Sequence, residues 1–301
     1  MSAVYVDGGP DHGAIWHFGE PVKEQRALQE GKAFANLSHL PVVAIDGADR
    51  LTWIHSLSTQ DVEHLQPGEW KSGYILDPHG HIEFPLLIID DGNTLYLFTE
   101  IAAVDGLIKF LHSMKFMLRV DIRDASSEVA LFRAPGKSDP IGGPYALVPR
   151  SEIESMSANF ALTAHQVGTW ALDAQRVASG RPRFGFESDP KTIPNEIGTL
   201  NIAVHMDKGC YRGQETVAKV FNLGKPPRRL TLLHLDGSGV DLPAPGAPIT
   251  LDGKAVGFLG TVARHHELGP IALALIKRSV PLEATVTAGS IPATQEEIVA
   301  Q

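Results

Sequence analysis

Cysteine is nearly absent: Cys210 is the single one in 301 residues. One thiol forms no disulfide within the chain and supplies one of the four protein ligands an iron–sulfur cluster normally takes. So low a count fits a reducing compartment. Long hydrophobic runs are also missing. The longest, at 86–89 and 271–276, fall far short of the roughly 20 residues of a membrane helix. The first twenty residues carry acids, glycines and a proline, with no basic stretch leading into an apolar one, so no secretory signal is expected. The expectation is a cytoplasmic protein without a membrane partner. Positive charge is in deficit, with a net charge of −9. That argues against a nucleic-acid partner, which calls for a basic face to neutralise phosphates. Phosphate-loop, dinucleotide-fold and serine-esterase signatures are absent as well.

What is present is an ordinary globular composition, 43% hydrophobic and 20% charged, with turn residues that divide the chain clearly. Residues 1–20 read as loosely structured. A strand at 42–45 precedes a helix opened by Gly47, Ala48 and Asp49 and running through Leu57. Between 70 and 99, three antiparallel strands are separated by turns at 77–80 and 90–93, each rich in Asp, Gly, Pro or Asn. The stripe Leu107, Phe110, Leu111 and Met114 predicts a helix over 103–117, and strands follow near 118–122 and 128–133. Gly and Pro across 135–149 predict a loop, and a helix is expected from 164 to 179, with Gly180 as its cap and Pro182 beyond it. After the Pro226–Pro227 pair, five short strands within the last ~70 residues predict a small barrel or sandwich. The fold class is therefore α+β followed by all-β. The boundaries are 1–227 for the first region, of two lobes, and 228–301 for the second.

The densest chemical signal surrounds the lone cysteine. After Gly213, residues 214–222 continue as a helix ending before Gly224, so Cys210 lies at or just before a helix N-terminus. Unpaired N–H groups there favour negative charge. Lys208 and Arg212 flank the thiol two residues away on either side, and both would promote the thiolate. The same position is equally open to a buried cysteine acting as a small apolar filler. His79, His81 and Glu83 alternate as a strand-face metal triad would, but His79 sits in a turn, and local polarity explains the pattern better.

The stretch KGCYRGQE (208–215) resembles the signature of the YgfZ family, the iron–sulfur maturation branch of the glycine-cleavage T-protein (folate-dependent aminomethyltransferase) superfamily. ALDAQRVASGRPRFGFE (171–187), TIPNEIG (192–198), the region 37–68 and GKPPRRL (224–230) resemble further segments of that superfamily. The resemblance spans about 37–287. It implies a two-lobed T-protein-like folate-binding region around a central opening, followed by a small C-terminal β-barrel. It also implies tetrahydrofolate or a derivative as cofactor, and iron–sulfur client proteins or assembly factors as partners.

By the same resemblance Glu196 holds the pterin ring, a task suited to a carboxylate that accepts two parallel N–H bonds. Arg228 meets the anionic tail, a role Arg229 is also placed to take. Cys210 acts as the reactive thiol, Lys208 and Arg212 support its charge, and Tyr211 helps position ligand or loop. One departure separates the chain from the transferases. Where they carry adjacent acids after a hairpin, this sequence reads Gly80, His81, Ile82, Glu83, Phe84, which leaves Glu83 alone beside the folate. The implied function is assistance in iron–sulfur cluster synthesis or repair. A folate-dependent one-carbon transferase and a non-catalytic folate-binding module are the alternatives.

Overall fold

The structure is a computed structural model that describes residues 2–237 and 241–298. The N-terminal region contains β1 (Val4–Tyr5), β2 (Ile15–His17), α1 (Pro21–Gln29), β3 (Ala33–Asn36), β4 (Val42–Asp46) and α2 (Arg50–Leu57). Next come β5 (Trp70–Leu76), β6 (Ile82–Asp90), β7 (Thr94–Phe98), α3 (Ile101–Met114), β8 (Asp121–Asp124), β9 (Val129–Arg133) and β10 (Tyr145–Pro149). The region closes with α4 (Ile153–Ala161), β11 (His165–Gln166), α5 (Thr169–Ala178), α6 (Leu200–Ala203) and α7 (Gln214–Leu223). The final strands are β12 (Arg228–Leu235), β13 (Pro248–Leu251), β14 (Lys254–His265), β15 (Gly269–Lys277), β16 (Val286–Ala288) and β17 (Ile291–Glu297).

Two sheets form the two lobes. One has the order β5-β6-β7-β4-β8, the other β10-β9-β3-β11. Strict alternation explains why they stack. Val43, Ile45, Leu95 and Leu97 face the helices α2 and α3. Val42, Ala44, Tyr96 and Phe98 face the other way and pack on Val129, Leu131, Tyr145 and Leu147 of the second sheet. The far side of that second sheet, with Phe34, Phe132 and Val148, is covered by Ile153, Met156 and Phe160 of α4. Each such fully buried side chain contributes about 1.5–3 kcal/mol. The last strands close into a barrel of order β12-β15-β14-β13-β16-β17. Its outer wall is joined to the lobes by α5, whose Ala174 and Val177 pack on Leu230, Ala263 and Leu273.

The α+β class, the two lobes and the C-terminal barrel match the sequence reading. Several elements differ. The loop expected across 135–149 ends at Pro144. Tyr145–Pro149 then pairs in full register with β9, because the apolar run after the Gly-Pro punctuation suits a strand. The helix expected from 164 begins at Thr169, since His165–Gln166 first joins β3 in parallel. The N-terminal twenty residues contain the β1–β2 hairpin. The barrel has six strands, β17 being the one the turn pattern did not announce.

Candidate functional site

A cavity of about 310 Å³ lies where the two sheets and α5 meet. Small-molecule sites begin at roughly this size. Leu40, Pro85, Phe98, Ile141 and Tyr145 supply apolar wall, and charged side chains enter from several elements. From α5 come Thr169, Leu172, Asp173 and Arg176, spaced by three, four and seven residues and hence on one helical face.

The charged groups are mostly paired. Arg183 is a double clamp. Its Nη1 and Nη2 donate to Asp11 at 2.7 and 2.8 Å, and its Nε and Nη2 donate to Glu100 at 2.8 and 2.9 Å. His39 Nε2 lies 3.0 Å from Asp11 Oδ1. Burial opposes ionisation of Asp11, but the hydrogen bonds from His39 and Arg183 outweigh it and hold the carboxyl well below its usual range. This clamp fastens the segment after β1 to the first lobe. Arg176 likewise donates from Nε and Nη2 to Asp173 Oδ1, both at 3.2 Å, and from Nη1 to Glu187 Oε2 at 3.1 Å. Its Nη2 also donates to Thr261 in the barrel. Glu187 is completely buried and accepts the Thr261 N–H at 2.6 Å. Burial raises the Asp173 carboxyl above its ordinary value, against the pull of Arg176 and Arg183.

None of the residues expected from the sequence lines this cavity. Glu196 and Arg228 do come together, but as each other's partners instead of at the two ends of a ligand. Arg228 Nε and Nη2 donate to Glu196 Oε1 and Oε2, each at 2.7 Å, and Nη1 reaches Asp189. Glu196 is 2% exposed, and its Oε2 also accepts the Ile193 N–H. The pair staples the turn 189–196 to the start of the barrel. Arg229 points elsewhere, donating to the Val280 carbonyl and Gln295.

The 208–215 loop lies outside the cavity. Lys208 does not support the thiol. It is buried, and its Nζ donates to the carbonyls of His55, Ser58 and Gln60, closing the C-terminal end of α2. Burial lowers this ammonium to about 8, with Asp61 opposing. Arg212 does not support it either: Nη1 donates to Glu83 at 2.9 Å, and the guanidinium lies over the Phe110 ring. That contact also accounts for Glu83, on the Cys210 side and away from the cavity. Tyr211 is buried in an apolar cluster with Tyr74, Ile82 and Ile197, which themselves line the cavity, so one layer of side chains separates the two places. Gly213 is the N-cap of α7, with φ of +80°. A Cβ there would sit 2.5 Å from the Asp77 carbonyl oxygen and 2.9 Å from Gly80 Cα, so the turn 77–80 and the start of α7 touch backbone to backbone. Cys210 precedes that N-cap by three residues, and its thiol is exposed, not a buried filler. His81 bonds Asp77 at 2.9 Å while Glu83 bonds Arg212, so the alternating triad is divided between two local partners.

Sequence reasoning missed Asp11, Glu100, Asp173, Arg176, Arg181 and Arg183 as cavity residues. A signal for four of them was available within 171–187, in the helical spacing of Asp173 and Arg176 followed by the Arg181-Pro182-Arg183 exit.

No family model matches the chain. It is 24% identical to a chloroplastic transferase-like protein of Arabidopsis thaliana, over 96% of this chain and 76% of that one. It is 24% identical to the aminomethyltransferase of Bacillus subtilis, over 84% and 82% of the two chains. It is 22% identical to the tRNA-modifying protein YgfZ of Colwellia psychrerythraea, over 66% and 70%. Among solved structures, the glycine cleavage system aminomethyltransferase T of Bartonella henselae superposes with a TM-score of 0.77 at 14% identity, covering 97% of this chain and 92% of that one. The chain is thus similar in sequence to aminomethyltransferases and, over less of its length, to YgfZ, and it has the aminomethyltransferase fold. No helix among the described residues is long and apolar enough to cross a membrane.

Proposed function

We propose that this protein binds a reduced folate in the cavity between its lobes and uses Cys210, outside that cavity, to engage iron–sulfur proteins during synthesis or repair of their clusters. The observation that carries this reading is the separation of the two places. The thiol is exposed on a loop whose Lys208, Tyr211 and Arg212 side chains are held elsewhere, while the cavity lies behind the Tyr74–Tyr211 layer. A thiol so placed faces a protein partner and not the small ligand.

The cavity residues fit a folate. Phe98, Tyr145 and Pro85 offer flat apolar surface to a ring system. Both Arg176 bonds to Asp173 fall on Oδ1, which leaves Oδ2 to accept an N–H from the pterin edge. In this reading Glu196 and Arg228 brace the cavity floor from behind. A bound reduced folate would supply a one-carbon unit carried on N5 or N10, and the cavity residues named here would orient it. A single thiol suits a reducing compartment, and we place the protein in the cytoplasm.

The test pairs two measurements on Cys210→Ala. Folate binding stays at the wild-type level, and iron–sulfur enzyme activity in cells lacking the native protein is not restored. Full restoration by the variant removes the role of the thiol. A one-carbon transferase is the second reading, favoured by the Asp173 carboxyl, which burial keeps closer to protonation than an ordinary aspartate. Turnover of methylene-tetrahydrofolate with an amine, intact in Cys210→Ala and lost in Asp173→Asn, would establish it.

A further inference from the structure

The arginines lining the cavity divide into two kinds. Arg183 and Arg176 each hold two carboxylates. Arg181 and Arg133 hold none. The Arg181 guanidinium lies beside the Tyr145 hydroxyl, both next to Gly142, and that hydroxyl donates to the Ile141 carbonyl at 3.1 Å. Asp139 acts on Arg181 through space, while its Oδ1 accepts the Gly143 N–H at 2.7 Å. Arg133 is 1% exposed. Its Nη1 donates to the Ala134 carbonyl, its Nη2 to the Gly136 carbonyl at 2.9 Å, and its Nε has no partner among the described residues.

Arg133 is therefore buried against two backbone carbonyls, and Arg181, partly exposed at the cavity wall, sits beside a phenol with Asp139 acting on it only through space. Burying an ion is costly unless an opposite charge compensates. Burial depresses both guanidinium pKa values. Tyr145 and Asp139 oppose this at each, while the two arginines repel each other at Arg133 and Arg176 repels Arg181. A protein that had only to fill this corner could do so with apolar side chains.

We infer that the Arg181–Arg133 corner of the cavity is an anion subsite that takes the carboxylate end of a ligand whose other end lies against the apolar wall. A planar guanidinium matches a carboxylate in a two-bond fork. Two arginines, with no lysine and no glycine-rich nest among the lining residues, suit one or two negative charges better than a polyphosphate. That the carboxylate belongs to the glutamyl tail of a folate rests on the function proposed above; the subsite itself does not.

The experiment measures binding calorimetrically with three probes: 5-formyltetrahydrofolate, tetrahydrobiopterin, which lacks the glutamyl tail, and p-aminobenzoylglutamate, which is the tail alone. Arg181→Gln should weaken both carboxylate-bearing probes about ten- to hundredfold and leave tetrahydrobiopterin unchanged. Arg181→Lys should recover part of the loss, and added salt should weaken only the tail-bearing probes. Arg133 also holds the 134–136 backbone, so the test rests on Arg181, whose variants are first checked for wild-type thermal unfolding. If a well-folded Arg181→Gln binds 5-formyltetrahydrofolate as tightly as wild type, the subsite is refuted and folate binding stands. If wild type binds p-aminobenzoylglutamate in an Arg181-dependent way but shows no affinity for either pterin, the folate reading fails and the subsite stands. If wild type binds neither carboxylate probe, the subsite is refuted.

Discussion

The 208–215 loop and the cavity put their charged side chains to opposite uses. In the loop, residues adjacent in sequence disperse: Lys208 to the end of α2, Tyr211 to the apolar layer, Arg212 to Glu83, Gly213 onto Gly80. Around the cavity, residues far apart in sequence converge, with Asp11, Glu100 and Arg183 meeting in one clamp. A compact motif is thus no guide to a compact site. The loop is a well-fastened mount for one exposed atom, whereas the cavity is a site assembled by topology.

The comparison breaks most visibly at the clamp. Arg183→Gln strands two part-buried carboxylates and should cost about 3 kcal/mol in urea unfolding. Its pH dependence is equally specific. The depressed Asp11 carboxyl contributes stability that is complete above the ordinary aspartate value of about 3.9 and is lost as the pH falls through its lower folded value. The advantage of wild type over Asp11→Asn should therefore shrink as unfolding is measured at successively lower pH below about 4. An advantage that instead grew in acid would remove the clamp from the account.

Next in size come the anchors of the loop. Lys208→Met leaves the carbonyls of His55, Ser58 and Gln60 without their donor and should cost about 2–3 kcal/mol. Gly213→Ala should cost about 1–3 kcal/mol, from its left-handed backbone and from the Asp77 oxygen 2.5 Å from the new Cβ. Glu196→Gln sharpens the contrast. It should cost about 2 kcal/mol by weakening the Arg228 pair, with folate affinity changed less than stability. A well-folded variant that lost binding altogether would move Glu196 onto the ligand. The smallest effect belongs to Cys210→Ala, within about 0.5 kcal/mol of wild type by thermal unfolding.

The same contrast explains what was legible in the sequence. Local periodicity announced α7 closely, from Gln214 to the Gly224 cap, because its apolar spacing and terminal glycine act over a few residues. It announced the antiparallel strands at 70–98 through their turns. It missed β3 and β11, which pair across more than 120 residues and are held by burial in the second sheet. The 208–215 motif stood out because its letters are contiguous, yet nothing in those letters says that Lys208 turns away from Cys210 or that Glu196 is neutralised by Arg228. Which partner a charged side chain finds is a property of the assembled fold. For the same reason Asp11, an unremarkable acid near the N-terminus, was invisible as a wall of the cavity.

Arg176 has a mechanical meaning beyond its ion pairs. It touches Asp173 in the cavity, Glu187 behind it and Thr261 on a barrel strand, and Glu187 grips the Thr261 backbone in turn. The barrel is therefore a buttress and not an appendage. A lesion in β14 far from any ligand would loosen the floor under Asp173, so damage to the C-terminal quarter of the chain should first be felt as lost ligand affinity and only later as unfolding.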